Sequence, residues 1–421
     1  MGVKVITFGC RLNQYDSEWL KEGFELAGYN RLSGSGNRLS EEVCIINTCA
    51  VTAHACREAR NAIRTEALRV PKPFIIVTGC YVKLWSNELS QIAGIDLMES
   101  DLHKIVKDFL KVPLLTGIKR FNHRDKAFIK VQEGCDQFCS YCVVPYARGN
   151  PQDRSLNEIL TEVRNLIETG YEEFILTGTN LGLCHNLLEV LKSLVVLEGV
   201  RRIGLGSIEP VGISDELLDF IYRSGKCSRY FHIPLQSGDN KVLKLMGRWY
   251  NRDEYLDLIC RIKDRLPDSA IGADVIVGFP GEGENEFLNT YNLIKDASIS
   301  RLHVFRYSGR PGTPAFSLTA EPTDSIKKHR SALLRQLSET KWEAFRAQFI
   351  GKILESHIEG MNLRNSACQQ GNGLAVGVTN NYIKVLFNSN DKINKGFVDL
   401  RINAVNGVLT YGEVVCSNEK L

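Results

Sequence analysis

A chain of 421 residues with 43% hydrophobic and 24% charged residues is ordinary for a soluble globular protein, and its length predicts two or three domains. The formal net charge of +3 neither requires nor excludes a nucleic-acid partner. No run of about 18 apolar residues occurs, which argues against a membrane span, and the N-terminal MGVKVITFGC lacks the layout of a signal peptide. We therefore expect a cytoplasmic protein whose 13 cysteines stay reduced.

The first 112 residues alternate predicted strands and helices, which is typical of a small α/β domain with a parallel sheet. A helix is predicted at 17–27 from its apolar spacing. The segment SGSGNR at 33–38 is predicted to be a loop that does not bind phosphate, because no helix start with a third glycine follows it. Residues 113–125 are a predicted linker. Short apolar runs predict three strands, at 3–8, 43–47 and 74–78.

Residues 126–320 repeat the strand-then-helix order, with helices such as 157–168, which is ended by Gly170. This alternation predicts a partial or complete β/α barrel, whose active site lies at the C-terminal ends of the strands. Six strands are predicted, at 128–132, 173–176, 202–205, 230–234, 270–277 and 301–306.

The C-terminal part of the chain is predicted to be a long helix followed by a small antiparallel β-barrel. The helix at 323–352 carries seven Lys or Arg residues against three acidic ones, which suits contacts with RNA phosphates. Residues 353–421 are rich in Val, Ile, Gly and Asn. Strand-like runs occur at 375–378, 382–387 and 412–415. We therefore predict an α/β protein with three domains, 1–112, 121–350 and 351–421.

Three cysteines in the segment EGCDQFCSYCVVPYARG have C-x3-C-x2-C spacing: Cys135, Cys139 and Cys142. Cysteine thiolates hold iron–sulfur clusters, normally with four ligands. Here no fourth cysteine follows, so one iron would stay open to a small molecule, like the open position of a catalytic metal. A structural zinc site is the alternative, but it would need four ligands. The position after the first strand of the predicted barrel favours the cluster.

A second set of cysteines lies in the N-terminal domain, where Cys10, Cys49 and Cys80 each follow an apolar strand. Equivalent ends of parallel strands gather at one edge of a sheet, so the three are expected to meet there. Three incidental buried thiols are the alternative. Other cysteines are expected to be small buried hydrophobes, namely Cys44, Cys227 and Cys260. The rest have no informative spacing: Cys56, Cys184, Cys368 and Cys416.

The C-x3-C-x2-C spacing, with the aromatic Tyr141 before its third cysteine, resembles the radical S-adenosylmethionine (SAM) superfamily. The resemblance implies that the open iron binds the amino and carboxylate groups of SAM. It also implies that one electron from the cluster cleaves SAM to a 5′-deoxyadenosyl radical. Such a radical suits an unactivated C–H bond, which no side-chain base deprotonates near neutral pH.

Turns after four predicted barrel strands carry residues suited to SAM. Gly178, Thr179 and Asn180 are expected near the methionyl group, with an ordinary turn and helix cap as the alternative. Ser207 and Glu209, in GSIEP, are expected to contact the ribose or the amino group. The remaining candidates are Gln236, in HIPLQSG, and Ile276 and Gly278, in DVIVGFPGE.

The order of the three domains resembles the methylthiotransferase family over nearly the whole chain. The branch acting on N6-threonylcarbamoyladenosine in tRNA is the most similar, through GCRLNQYDSE, GCYV, FIKVQEGCDQFCSYCVVPYARG, SIEP and HVFRYSGRPGTPA. The resemblance implies two [4Fe–4S] clusters, with Cys10, Cys49 and Cys80 holding the auxiliary one. It also implies SAM as radical source and methyl donor, and a C-terminal RNA-binding TRAM domain. The implied partners are the tRNA anticodon arm and an electron-donor protein, not DNA or a membrane, and we expect a monomer.

A basic side chain is expected to select the substrate, because a threonylcarbamoyl arm is anionic whereas an isopentenyl arm is apolar. The candidates are Arg148, Arg306 and Arg310, each with a solvated or phosphate-contacting arginine as the alternative. Isopentenyladenosine in tRNA and an aspartate of a ribosomal protein are the alternative substrates within the family. A non-catalytic iron–sulfur RNA-binding protein is an alternative of another class, and the strand-end motifs argue against it.

Overall fold

The structure is a computed structural model that describes residues 1–32, 42–121, 125–359, 374–388 and 395–415. The loop predicted at 33–38 lies outside the described residues, as do Cys368 and Cys416. Within the described ranges, no helix is both long enough and apolar enough to cross a bilayer.

The N-terminal domain is a parallel sheet between two layers of apolar side chains. Its strands are β1 (Gly2–Thr7), β2 (Asn30–Arg31), β3 (Glu42–Thr48), β4 (Phe74–Gly79) and β5 (Leu97–Met98), in the order β2-β1-β3-β4-β5. Its helices are α1 (Arg11–Leu26), α2 (Ala53–Ala67), α3 (Cys80–Leu89) and α4 (Leu102–Lys104), followed by a π-helical turn, Ile105–Phe109. Ile45 and Ile46 of β3 are both fully buried, in cores on opposite faces. The three predicted strands are present, and the additional edge strands β2 and β5 are too short to show a period.

The central domain is an open β/α barrel. Its strands are β6 (Ala127–Lys130), β7 (Gln132–Glu133), β8 (Gln152–Asp153), β9 (Glu173–Thr177), β10 (Arg202–Leu205), β11 (Tyr230–His232), β12 (Ala270–Val277) and β13 (Arg301–Arg306). Parallel pairing gives the order β6-β9-β10 and β11-β12-β13, and two isolated bridges, Ile203–Cys227 and Ser207–His232, connect the two halves. All six predicted barrel strands are confirmed. The pair β7-β8 is a separate antiparallel ribbon.

Helices connect the strands of this barrel. They are α5 (Val144–Arg148), α6 (Leu156–Glu168), α7 (Leu187–Val195), α8 (Asp215–Ser224), α9 (Asn240–Leu245), α10 (Arg252–Arg265), α11 (Glu284–Asp296) and α12 (Asp324–Ala347). Short 3₁₀ turns occur at Leu181–Leu183, Pro210–Gly212 and Pro314–Ser317. The hydroxyl of Thr323 accepts a hydrogen bond from the backbone N–H of Ile326 and caps α12, a common role of threonine at the start of a helix.

Most basic residues of α12 stabilise the fold instead of facing solvent. Lys327, Arg330 and Arg346 are buried, and Lys341 donates to the backbone carbonyls of Lys295 and Ala297 at 2.9 and 2.8 Å. Only part of the positive charge of this helix is therefore available for contacts with RNA phosphates. The excess of basic residues was visible in the sequence, but the intramolecular partners of these side chains were not.

The C-terminal domain is a small closed β-barrel. Its strands are β14 (Ile353–Glu359), β15 (Leu374–Thr379), β16 (Lys384–Asn388), β17 (Phe397–Asn406) and β18 (Leu409–Val414), in the order β14-β15-β16-β18-β17. The predicted barrel is confirmed, but it is not wholly antiparallel, because β16 and β18 pair in parallel. Phe387, Leu400 and Ile402 fill its interior, and Phe345 of α12 packs against this core.

The C-terminal barrel docks at the N-terminal ends of the central strands. The guanidinium of Arg202, the first residue of β10, donates to the carbonyls of Val378 and Glu355 at 2.8 and 2.9 Å. His357 Nδ1 lies 2.8 Å from Glu173 Oε2 at the start of β9. The C-terminal ends of the central strands, where active sites of this fold class lie, are therefore on the side away from the C-terminal barrel.

Candidate active site

The first cysteine trio occupies the loop after β7. Cys139 is buried, and Cys135 and Cys142 are half-buried. The Cys142 sulfur lies 3.4 Å from the backbone N–H of Val144. The Cys139 sulfur lies 3.1 Å from Nη1 of Arg248. Hydrogen bonds of this kind are typical of sulfur atoms that carry negative charge on a bound metal.

The second trio lies at the C-terminal edge of the N-terminal sheet. Cys10, Cys49 and Cys80 follow β1, β3 and β4, and all three line one cavity of about 630 Å³. Gly9 has φ +104°, and a Cβ there would lie 2.8 Å from the Cβ of Cys49. Gly79, with φ +94°, precedes Cys80 in the same way. These glycines let two strands turn sharply enough to bring their cysteines beside Cys49.

The spacing of the sulfur atoms tests what each trio holds. Among the described residues, the only group of three potential metal ligands whose atoms all lie within 4.8 Å of one another is His232, Asp274 and His303. Neither trio therefore has the sulfur separations of about 3.8 Å found on one tetrahedral zinc ion. Burial raises the pKa of the Cys49 and Cys142 thiols to about 12, so their thiolates need a bound cation. A cubane cluster binds its thiolate ligands through different iron atoms and does not require them to lie that close together, so both trios are compatible with one.

The two trios face adjoining cavities. A smaller cavity of about 220 Å³ is lined by Tyr141, Cys142, Gln236 and Ile276. Asp274 lines this cavity and also the larger one beside the second trio. A molecule spanning both cavities would therefore contact both cysteine sites.

Most of the strand-end residues proposed to contact SAM line one of the two cavities, whereas Asn180 makes internal hydrogen bonds. Gly178, Thr179 and Ser207 line the larger cavity, as Gln236 and Ile276 line the smaller one. Asn180 has internal partners, since its Oδ1 accepts from the N–H of Gly182 at 3.0 Å and its Nδ2 donates to Gln137 at 2.9 Å. This is the helix-cap alternative for Asn180.

Gly278 has a packing role. It has φ +73°, and a Cβ there would lie 2.3 Å from Cγ of Lys327. Its N–H donates to Glu282 at 2.8 Å. The neighbouring Phe279 ring meets Tyr141 edge to face, with ring centroids 6.3 Å apart. Gly278 thus fixes the chain behind the aromatic wall of the smaller cavity.

Arg248 is a site residue that sequence reasoning missed. Its side chain is buried, and besides Cys139 it contacts Glu209 through Nη2. Burial raises the pKa of the Glu209 carboxyl, although the Arg248 charge opposes this shift. Arg248 lies 109 residues from Cys139 in the chain, so no local spacing could reveal the contact. The pair places one cationic and one acidic group directly beside the first trio.

The three candidate arginines have different surroundings. Arg310 is buried, donates to the Cys56 sulfur at 3.1 Å and lies over the Trp85 ring at 4.4 Å. Arg148 donates to Asn13 at 2.6 Å and is paired with two carboxylates. Arg306 is exposed and lines the smaller cavity. Internal contacts thus weigh against Arg148 and Arg310 as substrate ligands, and Arg306 is the candidate of the three that we retain.

Three of the remaining described cysteines were predicted to be small buried hydrophobes. Cys44 and Cys227 are buried as expected, whereas Cys260 is exposed on α10, so its prediction is wrong. Cys184 is buried and lies 3.2 Å from Asn186 Oδ1. Cys56 donates towards the carbonyl of Cys49 at 3.5 Å, which places it behind the second trio.

We predict that Arg148→Met lowers the melting temperature of the protein by several degrees. Arg148 connects α5 to Asp16 of the N-terminal domain at 3.1 Å, and both side chains are buried. Removing one member of a buried pair costs on the order of 3 kcal/mol. Differential scanning fluorimetry measures the change. The matched control is Arg261→Met, which removes exposed ion pairs and is expected to cost less than about 1 kcal/mol. Equal shifts in both variants would contradict the bridging role.

We predict that the anaerobically reconstituted protein holds about eight iron and eight sulfide ions, as two cubane clusters do. Replacing Cys135, Cys139 and Cys142 together by alanine is expected to leave about four of each. Replacing the second trio is expected to do the same. Iron and sulfide analysis checks both. An unchanged iron content after removal of either trio would refute that trio as a cluster site.

Comparison with known proteins agrees with this arrangement. Residues 129–294 match the Radical SAM superfamily, and residues 2–99 match the Uncharacterized protein family UPF0004. The threonylcarbamoyladenosine tRNA methylthiotransferase MtaB of Bacillus subtilis (strain 168) is 34% identical, with 94% of this chain and 92% of the relative covered. The chain belongs to the radical SAM methylthiotransferase family.

Other relatives of this methylthiotransferase carry different names. A tRNA-2-methylthio-N(6)-dimethylallyladenosine synthase of Protochlamydia amoebophila (strain UWE25) is 32% identical, with 92% of this chain and 91% of the relative covered. The radical SAM methyltransferase TsrM of Kitasatospora setae, in a structure with tryptophan and a SAM analogue, has a TM-score of 0.55 at 15% identity, over 72% of each chain. The last likeness concerns the fold alone.

Proposed function

We propose that this methylthiotransferase modifies C2 of N6-threonylcarbamoyladenosine next to the anticodon of tRNA. The observation that supports the proposal most directly is the larger cavity, which is lined by the second cysteine trio and by strand-end residues of the radical SAM domain. A base in this cavity would have one cysteine site on each side. The relative from Bacillus subtilis carries the corresponding activity in its name.

Each cysteine trio would hold one [4Fe–4S] cluster in this proposal, and the auxiliary one belongs to Cys10, Cys49 and Cys80. When bound, the clusters and SAM supply the electron, the radical that removes hydrogen from C2, and the sulfur with its methyl group. An external protein would donate the electrons. The protein itself positions these groups and excludes water from them.

The residues around the smaller cavity suit SAM. Tyr141 and Ile276 offer apolar surface beside Cys142, and Gln236 offers a polar group there. The buried pair Glu209–Arg248 has the charges needed to face the ammonium and the carboxylate of a methionyl group. Ser207, Gly178 and Thr179 would then face the region between SAM and the base.

Arg306 is our candidate for recognising the threonyl carboxylate. It lies at the C-terminal end of β13, on the wall of the smaller cavity. A guanidinium binds a carboxylate with two parallel hydrogen bonds, and an apolar isopentenyl arm would leave it without that partner. Isopentenyladenosine is the second candidate substrate, because a relative named for the dimethylallyl product covers this chain equally well.

The C-terminal barrel is proposed to be a TRAM-like domain that contacts the anticodon arm. Residues 350–421 contain seven Lys or Arg and six acidic residues, so weak contacts with the RNA backbone are expected from it. Exposed basic residues near α12 add to them, namely Lys328, Arg335 and Lys352. Such contacts would position the RNA without reading its sequence. We place the enzyme in the cytoplasm, where its tRNA substrate is found.

Mass spectrometry of tRNA nucleosides tests the proposed function. Cells that lack the gene are expected to lose 2-methylthio-N6-threonylcarbamoyladenosine and to accumulate N6-threonylcarbamoyladenosine. Returning the wild-type gene restores the product, and the Cys139→Ala gene does not. Persistence of the product in the deletion strain, or loss of the isopentenyl product in its place, would refute the proposal.

A further inference from the structure

Two histidines and an aspartate form a cluster on three neighbouring strands of the central barrel. His232 lies on β11, Asp274 on β12 and His303 on β13. Asp274 Oδ1 lies 3.0 Å from Nε2 of His232 and 3.3 Å from Nδ1 of His303. The two imidazole rings lie 4.9 Å apart. All three residues line the larger cavity, opposite the second cysteine trio.

The hydrogen bonds of this cluster fix which atoms remain available. Burial alone would raise the pKa of Asp274, but hydrogen bonds from His232 and His303 lower it to about 2, so Asp274 is an ionised acceptor. Both bonding nitrogens must therefore carry hydrogen. The other ring nitrogen of His232, Nδ1, also has a partner, because it lies 3.4 Å from the Tyr230 hydroxyl.

His303 has one ring nitrogen that the cluster does not use. Its Nδ1 bonds to Asp274, which gives Nε2 a fixed direction. In the tautomer that carries hydrogen on Nδ1 alone, Nε2 accepts a hydrogen bond. The side chain is 45% exposed, compared with 11% for His232. A histidine that is held by a half-buried carboxylate and is open to the cavity is oriented before any ligand binds. Such preorganisation is what a selective contact requires.

The geometry of adenine relates this nitrogen to the substrate. C2 and the N6 substituent both flank N1 of the ring, so a base that presents C2 to the space between the cysteine sites keeps its N6 arm near that space. His303 lines this space from the larger cavity and Arg306 from the adjoining smaller one. Both modified bases keep one N6–H donor. A threonylcarbamoyl arm adds a second urea N–H and a hydroxyl, whereas an isopentenyl arm adds no donor.

We infer that His303 is a specificity-determining residue that accepts a hydrogen bond from the polar N6 arm, with Asp274 and His232 as positioning residues behind it. This inference rests on the proposed function and deepens it. It assigns a second contact to the arm in addition to Arg306, with His303 reading the urea or hydroxyl and Arg306 reading the carboxylate. An apolar arm would leave the oriented imidazole without a partner when the cavity closes around the base.

The test measures RNA binding by the cluster-loaded enzyme without reductant. Fluorescently labelled anticodon stem-loops carry either N6-threonylcarbamoyladenosine or unmodified adenosine at one position, and anisotropy gives both dissociation constants. Wild-type enzyme is expected to prefer the modified RNA. His303→Phe keeps a flat ring but loses the acceptor, and it is expected to reduce the preference about tenfold. His303→Gln retains an acceptor and is expected to restore part of it.

A matched control shows whether the effect depends on the position of His303 in the cavity or on the loss of any His–Asp contact. His185 makes a similar contact with Asp153, at 3.1 Å, but on the surface with an 88% exposed side chain. His185→Phe is expected to leave the preference unchanged. Iron content and melting temperature are expected to be equal in the wild type and all three variants, whereas a merely structural defect at His303 would alter them.

The outcomes distinguish the inference from the proposed function. A wild-type enzyme without any preference for the modified RNA would overturn both. A wild-type preference that His303→Phe retains in full would overturn the inference alone. The inference alone would also be overturned if His232, Asp274 and His303 bind a metal ion. Such an ion would be detected as an extra equivalent of zinc, manganese or iron that only the His303→Phe variant lacks.

Discussion

Cys139→Ala enzyme is expected to form no 5′-deoxyadenosine above background, whereas Cys49→Ala enzyme continues to cleave SAM but makes no methylthiolated product. Cys139 is the buried member of the first trio and lies 3.1 Å from Arg248, beside the smaller cavity proposed for SAM. Cys49 lies at the centre of the second trio, between the turns that follow β1 and β4. Loss of one thiolate ligand disables its own site and leaves the other trio intact.

The measurement is chromatography of 5′-deoxyadenosine and of tRNA nucleosides from the same reactions, with dithionite as reductant. Cys44→Ala is the matched control, because Cys44 is a fully buried cysteine in the same strand as the residues before Cys49. It is expected to retain both activities. Wild-type yields of methylthiolated product from the Cys49→Ala enzyme would remove the auxiliary role from the second trio.

The strand pattern of the central domain could be predicted because burial dictates it. Strands β9 and β10 are wholly buried, so their residues are apolar or internally paired and their lengths are visible in the sequence. The cysteines that follow β1, β3 and β4 could be predicted to share an edge for the same reason. Parallel strands place equivalent ends together whatever the intervening chain does.

Contacts between distant side chains could not be predicted in this way. Arg248 meets Cys139 across 109 residues, and Arg148 meets Asp16 across 132 residues. No periodicity or residue spacing in the sequence indicates either contact. The sequence does not single out Arg248 and suggests Arg148 only as a possible substrate contact, yet both are fixed next to a cysteine trio. A count of the charges on α12 likewise does not reveal that Lys327 and Arg330 have intramolecular carboxylate partners.

Discrimination between two tRNAs is the second large effect that we expect. In a single-turnover assay, tRNA carrying N6-threonylcarbamoyladenosine is expected to react roughly 10- to 100-fold faster than the same tRNA carrying isopentenyladenosine. C2–H has no useful acidity in either base, so the radical chemistry itself does not separate them. The difference must come from the N6 arm, whose carboxylate is proposed to pair with Arg306. The base must also leave its stack, and a loop nucleotide makes this less costly than a duplex one.

An Arg306 variant identifies the source of the discrimination. Arg306→Gln is expected to slow the reaction of the threonylcarbamoyl substrate and to leave the isopentenyl substrate nearly unchanged, because only the anionic arm loses a partner. Arg301→Gln, at the exposed start of the same strand, is the control and is expected to preserve the ratio. Equal rates of the two tRNAs with wild-type enzyme, or reaction of the isopentenyl tRNA alone, would discard the substrate assignment and leave the methylthiotransferase chemistry intact. An unchanged ratio in Arg306→Gln, beside a clear wild-type preference, would move recognition of the carboxylate to another residue of the cavity.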